Sequence, residues 1–269
     1  MGSRILVAVI GVPILLYIVL WGPPLVLLGA LMLLAGIGGR ELYRCVGGER
    51  DPFLAVAAVL IPSVTVVDAR YLGVWFILST LLVFGYAIVK GGAVRFYQIA
   101  AVLFGGIAIG YAFSAFLQIH ASGVSRGYLL LPFILSFACD TFAYFTGLTL
   151  GRHKLAPKVS PKKTVEGSVG GLAGNVLCGL LFAYVMNRWF HGGLAYGTIA
   201  LVSLFCGVVA QIGDLSFSLI KREFGVKDYG KIFLAHGGVL DRFDSVLFVA
   251  PVLAVLMELT RSGWGCIGG

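Results

Sequence analysis

Tyr128-Leu-Leu-Leu-Pro132-Phe-Ile-Leu-Ser136-Phe-Ala-Cys139-Asp140-Thr141-Phe-Ala-Tyr144-Phe-Thr-Gly147 is an almost unbroken apolar run with a single carboxylate inside it. A hydrocarbon core of about 30 Å takes about 20 helical residues to cross, so 128–147 reads as a transmembrane helix. An aspartate there costs roughly 3 kcal/mol on insertion scales, which makes Asp140 a functional candidate by default. The plainer alternative is a carboxylate that bonds a neighbouring helix or pairs with an arginine. Tyr144, one turn on, shares the helical face of Asp140.

Similar runs occupy most of the chain. Of 269 residues, 59% are apolar and 12% charged, and the mean hydropathy is +0.99; soluble domains carry about a quarter charged residues. Windows of membrane-spanning length fall at 4–21, 24–38, 53–67, 72–89, 97–119, 128–147, 168–187, 195–213 and 244–260, giving an all-α polytopic membrane protein with about nine helices. The runs at 24–38 and 53–67 are short enough to be tilted or re-entrant. The first run is followed by no small-residue cleavage site and reads as a span rather than a signal peptide. Period-two alternation, the mark of a membrane β-barrel, is absent.

With the N-terminus cytoplasmic, Arg4, Arg40, Arg44, Arg50, Lys90, Arg95, the bases of 148–167 and those of 214–243 all lie inside. Arg70, Arg126, Arg188 and Arg261 lie outside, as the positive-inside rule asks. The net charge of +8 therefore belongs mainly to one face, suited to anionic head groups or an anionic soluble substrate. Nucleic acid is a poor partner, because no extramembrane domain is large enough to bind it. Cys45, Cys139, Cys178, Cys206 and Cys266 have no paired spacing and read as small buried apolar residues rather than a metal site or disulfide framework.

Composition divides the chain into N-terminal helices, 1–127, and a C-terminal part, 128–269, with two charged cytoplasmic loops at 148–167 and 214–243. A helical hairpin joins these loops and returns both to one membrane face. Gly170-Gly171 and Gly174 form a small-residue pattern for close helix packing; phosphate-gripping glycine motifs are absent.

Ser160-Pro161 suits a helix N-terminus, and Lys162, Lys163 and Thr164 beside it would make a phosphate-binding corner; a simple positive anchor for the next span is the competing reading. Asp214, Ser218 and Lys221 fall on one helical stripe. Asp241 and Asp244 share another face, and adjacent carboxylates are commonly relieved by a hard cation such as Mg²⁺. His236 before Gly237-Gly238 is a metal ligand, a general base or an ordinary loop residue. Together these residues suit metal-assisted chemistry on phosphates at a bilayer surface.

The run Ser218-Leu-Ile-Lys221-Arg222, then Lys227-Asp228-Tyr-Gly230, then His236-Gly237-Gly238-Val-Leu-Asp241-Arg242-Phe-Asp244-Ser245 closely resembles the signature of the phosphatidate cytidylyltransferases, or CDP-diacylglycerol synthases. Asp140-Thr-Phe-Ala-Tyr144 and Ser160-Pro-Lys-Lys-Thr-Val-Glu-Gly-Ser168 also look like that family's pattern. Leu234-Ala235 depart from it, standing where many relatives have Pro-Gly. The resemblance implies transfer of CMP from CTP to phosphatidic acid, giving CDP-diacylglycerol and pyrophosphate, in a multi-pass protein of the cell membrane with its site facing the cytoplasm. It further implies that Asp214, Asp241 and Asp244 bind a Mg²⁺ centre of one or two ions, with Asp140 as ligand or outer acceptor. Lys221, Arg222, Lys227 and Arg242 would hold phosphates, with Ser160, Lys162, Lys163, Thr164, Ser218 and His236 around them.

A CTP-dependent lipid kinase shares part of this pattern. A transporter of a phosphorylated or cationic solute would also use an intramembrane Asp, but the two halves show no inverted repeat. A CDP-alcohol phosphotransferase would need an Asp-Gly-x-x-Ala-Arg context that Asp241-Arg-Phe-Asp244 lacks. Glycine-rich helices with few other partners suggest a homodimer.

Overall fold

The computed structural model describes residues 11, 13–48, 51–67, 71–230, 232 and 237–259. His236, Leu234-Ala235, residues 4–10 and 12 of the first apolar run, Arg50, Arg70, Arg261 and Cys266 lie outside them. Residues 13–20 are helical, followed by α1 (Pro24–Cys45), α2 (Pro52–Val67), α3 (Leu72–Val89), α4 (Phe96–Ala121) and α5 (Arg126–Leu150). Two short antiparallel strands, β1 (Lys154–Ala156) and β2 (Ser160–Thr164), precede α6 (Val165–Trp189), α7 (Tyr196–Glu223) and α8 (Leu240–Leu259).

All-α architecture is thus as expected, with one small ribbon added. Among the described residues, six helices are long and apolar enough to cross a membrane: α1, α3, α4, α5, α6 and α7. The expectation of about nine spans is not reproduced by that count. The helix α2 has only 16 residues and contains Pro62, and α8 opens on the charged turn Asp241-Arg242-Phe-Asp244. Two helices clearly outrun their apolar windows, because charged turns continue the backbone hydrogen bonding beyond the oily stretch: α1 reaches Cys45 and α7 reaches Glu223. The charged block expected as a loop over 214–243 is therefore helical up to Glu223.

The chain forms two compact units, one of residues 1–117 with 221–243 and one of residues 118–220 with 244–269. In the first, Asp51 caps α2 by accepting from the backbone N–H groups of Phe53 and Leu54. Its carboxylate also accepts from the Tyr86 hydroxyl of α3 at 2.9 Å, and the Phe53 and Tyr86 rings stack on each other. Helix α4 contains a π-helical turn at Ala101–Gly105.

In the second unit α5 and α6 pack through small residues. A Cβ on Gly167 would stand 2.7 Å from the Ala143 carbonyl oxygen, and one on Gly171 2.8 Å from that of Cys139. The backbones are close enough that only glycine is accommodated, which is the expected role of this stretch. Buried Asn175 of α6 then donates to the Ser203 carbonyl of α7 at 2.7 Å.

Candidate active site

Asp140 and Asp214 both belong to the second unit, within electrostatic reach of each other. Helix α5 carries the first and α7 the second. One Asp214 oxygen is ion-paired with Lys163 of β2, and the other accepts from the Ser218 hydroxyl one turn on, at 3.3 Å. Ser245 of α8 donates its hydroxyl to Asp140 Oδ2 at 3.4 Å. Asp140 lies within electrostatic reach of both Asp214 and Lys163. The strand geometry of β2 decides which lysine takes part, since successive side chains point to opposite faces: Lys162 is exposed while Lys163 is half-buried.

A second tie holds this arrangement from within. The Gln211 amide of α7 donates to the Ser168 carbonyl at 3.0 Å and to Cys139 Sγ at 3.6 Å, while its oxygen accepts from the Ser168 hydroxyl. Cys139 adjoins Asp140 and Gln211 is nearly one turn from Asp214, so one side chain fixes three helices beside the two carboxylates.

A cluster of charged groups also lies in the first unit. Asp241 Oδ1 accepts from Lys221 Nζ at 2.8 Å, and Oδ2 accepts from the backbone N–H groups of Tyr229 at 2.8 Å and Gly238 at 2.9 Å. The pair is well shielded, with side chains 10% and 5% exposed, and the Lys221 ammonium lies 5.3 Å from the centre of the Tyr229 ring. Gly237 takes a φ of +84° beside the Asp241 carboxylate, a turn that disfavours any side chain. Buried Glu41 of α1 accepts from the N–H groups of Val239 at 3.0 Å and Leu240 at 2.9 Å. It occupies the N-terminus of α8, where free N–H groups and the helix dipole favour an anion.

The remaining sequence candidates differ in exposure. Arg222, Lys227 and Arg242 are exposed, and Ser160 is half-buried on β2. The expected helix start at Ser160-Pro161 is instead a strand. Thr164 is the N-cap, its hydroxyl accepting from the Gly167 N–H at 3.1 Å, and Pro161 is tolerated because a two-stranded ribbon consists only of edges. Asp244 accepts from the N–H of Ser245 at 2.8 Å. Tyr144, expected to share the face of Asp140, is 65% exposed and packs its ring on Phe145; one helical turn leaves enough angular drift to take it out of the cluster. Glu41 and Gln211 are not among the residues that sequence reasoning singles out, and Ser245 enters there only as the last residue of the quoted signature.

Mg²⁺ commonly takes one or two carboxylates and completes its shell with water and phosphate oxygens. Asp140, Asp214 and the adjoining hydroxyls of Ser218 and Ser245 supply that donor set, so the second unit fits such an ion. Asp241 differs in degree: its oxygens hold Lys221 and two backbone N–H groups on a side chain 5% exposed, whereas those of Asp214 hold Lys163 and one hydroxyl on a side chain 21% exposed. In neither unit do three or more His, Cys, Asp or Glu side chains among the described residues gather as a metal-binding group.

Comparison with known proteins matches residues 2–260 to a model described as the cytidylyltransferase family. A phosphatidate cytidylyltransferase of Staphylococcus epidermidis is 35% identical over 97% of this chain and 100% of its own length. One from Staphylococcus aureus (strain COL) is 33% identical over 96% of this chain and 99% of its own. With a family model spanning nearly every residue and relatives alike from end to end, the chain belongs to the cytidylyltransferase family.

Proposed function

We propose that this protein is a phosphatidate cytidylyltransferase, an enzyme that makes CDP-diacylglycerol and pyrophosphate from CTP and phosphatidic acid. The end-to-end match to relatives of that name carries the reading; it favours nucleotidyl transfer over the lipid-kinase and transporter alternatives. The membrane-spanning helices suit a lipid substrate that never leaves the bilayer.

A phosphatidate phosphate oxygen attacks the α-phosphorus of CTP. The bond from that phosphorus to the bridging oxygen breaks, pyrophosphate departs with the electron pair, and CMP remains on the lipid. No protein nucleophile is required. Asp140 and Asp214 hold Mg²⁺ in this reading, with Asp244 as a further ligand, and the ion supplies charge neutralisation for the triphosphate and its leaving group. Lys163 binds phosphate oxygens from β2; Lys162, on the opposite face of that strand, and Lys221, Arg222, Lys227 and Arg242 add positive charge that favours anionic substrates. Ser218 and Ser245 orient the carboxylates through the hydroxyl bonds described above. Asp241 positions Lys221. Preorganised charge of this kind supplies most of the rate enhancement in many enzymes. The site faces the cytoplasm, where CTP is found, and the working assembly is a homodimer.

Purified protein in lipid nanodiscs, given phosphatidic acid and CTP labelled on the α-phosphate, tests the reaction. Label is expected in the organic phase only when Mg²⁺ is present, with pyrophosphate released. Release of CDP together with γ-label in lipid would overturn the assignment in favour of a kinase.

A further inference from the structure

The ion pair between Lys163 and Asp214 says more than a second phosphate-binding lysine would. Two carboxylates, Asp140 and Asp214, lie within electrostatic reach of each other on helices of a membrane protein. One ammonium sits against Asp214 and neutralises one of their two charges, leaving the group one positive charge short. A divalent cation balances both carboxylates at once. Lys163 and such a cation then compete for Asp214, since two cations held against one carboxylate repel each other.

Lys163 is also placed to move. It is carried by a two-stranded ribbon, an element of marginal stability on its own, whereas Asp140 and Asp214 are fixed on helices clasped by Gln211. Its side chain is 26% exposed, and that of Asp214 21%, so neither group is sealed in the core. Its strand neighbour Lys162 faces away, so no second lysine of β2 replaces it.

We propose that Lys163 is a resident counter-ion that exchanges places with the divalent cation. Before substrate arrives, Lys163 occupies Asp214 and keeps the metal affinity of the empty site low. When metal arrives with the nucleotide, Lys163 gives up Asp214 and transfers its charge to a phosphate oxygen. Metal and triphosphate therefore bind as a coupled set, and the empty site does not hold tightly onto a free ion. The inference rests on the metal-binding role proposed above for Asp140 and Asp214.

Binding of Mn²⁺ to nucleotide-free protein, followed by electron paramagnetic resonance, tests it without any turnover. Lys163→Met is expected to bind Mn²⁺ about tenfold tighter than the parent, because a competing cation has gone. Its gain in Mn²⁺ affinity on adding CTP is expected to shrink. Lys163→Arg, which keeps the charge, is expected to stay near the parent in nucleotide-free Mn²⁺ binding. Unchanged or weaker Mn²⁺ binding in Lys163→Met, with binding still lost in Asp214→Asn, would overturn the exchange while leaving the metal site standing. Mn²⁺ binding that survives Asp214→Asn unaltered would overturn the metal reading itself, and the exchange with it.

Discussion

At the scale of single residues, Asp140 and Asp214 differ in the company they keep, and their substitutions separate accordingly. Asp214 is bonded by Lys163 and Ser218, so Asp214→Asn removes the proposed metal ligand and leaves the ammonium without its carboxylate. Turnover is expected to fall at least about 100-fold, measured as label transferred from CTP to lipid. Asp140 accepts one hydroxyl bond, from Ser245. Asp140→Asn should raise the Mg²⁺ concentration needed for half-maximal turnover by about tenfold, read from a metal titration; an unchanged requirement removes Asp140 from the ligand set. Glu41→Gln tests the buried cap of α8. The amide presents a donor to N–H groups that need an acceptor, at a cost of about 1–3 kcal/mol, and thermal unfolding in detergent should show a lower midpoint. Asp140 is legible in the sequence because a carboxylate in an oily run stands out against its surroundings. Glu41 is not, since its apolar window ends at residue 38 and its partners lie 198 and 199 positions away.

Helices are easier to read than their ends. A continuous apolar run announces a span, but nothing in hydropathy says where hydrogen bonding stops, so α7 runs well past its window and takes Asp214, Ser218 and Lys221 with it. The stripe expected of those three residues holds because the helix does continue. The ribbon of β1 and β2 is illegible for the opposite reason: short, lysine-rich strands with a proline carry almost no periodic signal. The packing of α5 on α6 is announced by its glycines, and it yields a test. Gly171→Val would drive a branched side chain into the Cys139 carbonyl, where even a single Cβ stands at 2.8 Å. Separation of the two helices is expected, seen as a fall in thermal stability and a loss of turnover together. A Gly29→Val control, at a position where a Cβ meets nothing within 4 Å, should leave both unchanged.

For the whole molecule, the distribution of Lys and Arg predicts a sidedness that can be measured directly. Cysteines introduced at Lys158, in the turn between β1 and β2, and at Arg188, at the far end of α6, lie at opposite ends of one span. In intact cells a membrane-impermeant maleimide should label the Arg188→Cys protein and spare the Lys158→Cys protein; inverted vesicles should reverse the result. Labelling of both from one side would defeat the cytoplasmic placement of the site. The native cysteines among the described residues, Cys45, Cys139, Cys178 and Cys206, are unpaired and buried or half-buried, so their background reaction should be low. The clasp made by Gln211 has a further bearing on life in a bilayer. Turning α7 by a single residue about its axis, about 100°, would tear Gln211 from both Ser168 and Cys139, so the azimuth of Asp214 is set by protein and not by the surrounding acyl chains. The spacing of the two acids is thereby insulated from membrane thickness and fluidity. An enzyme that builds the precursor of its own solvent keeps its chemistry constant while that solvent changes composition around it.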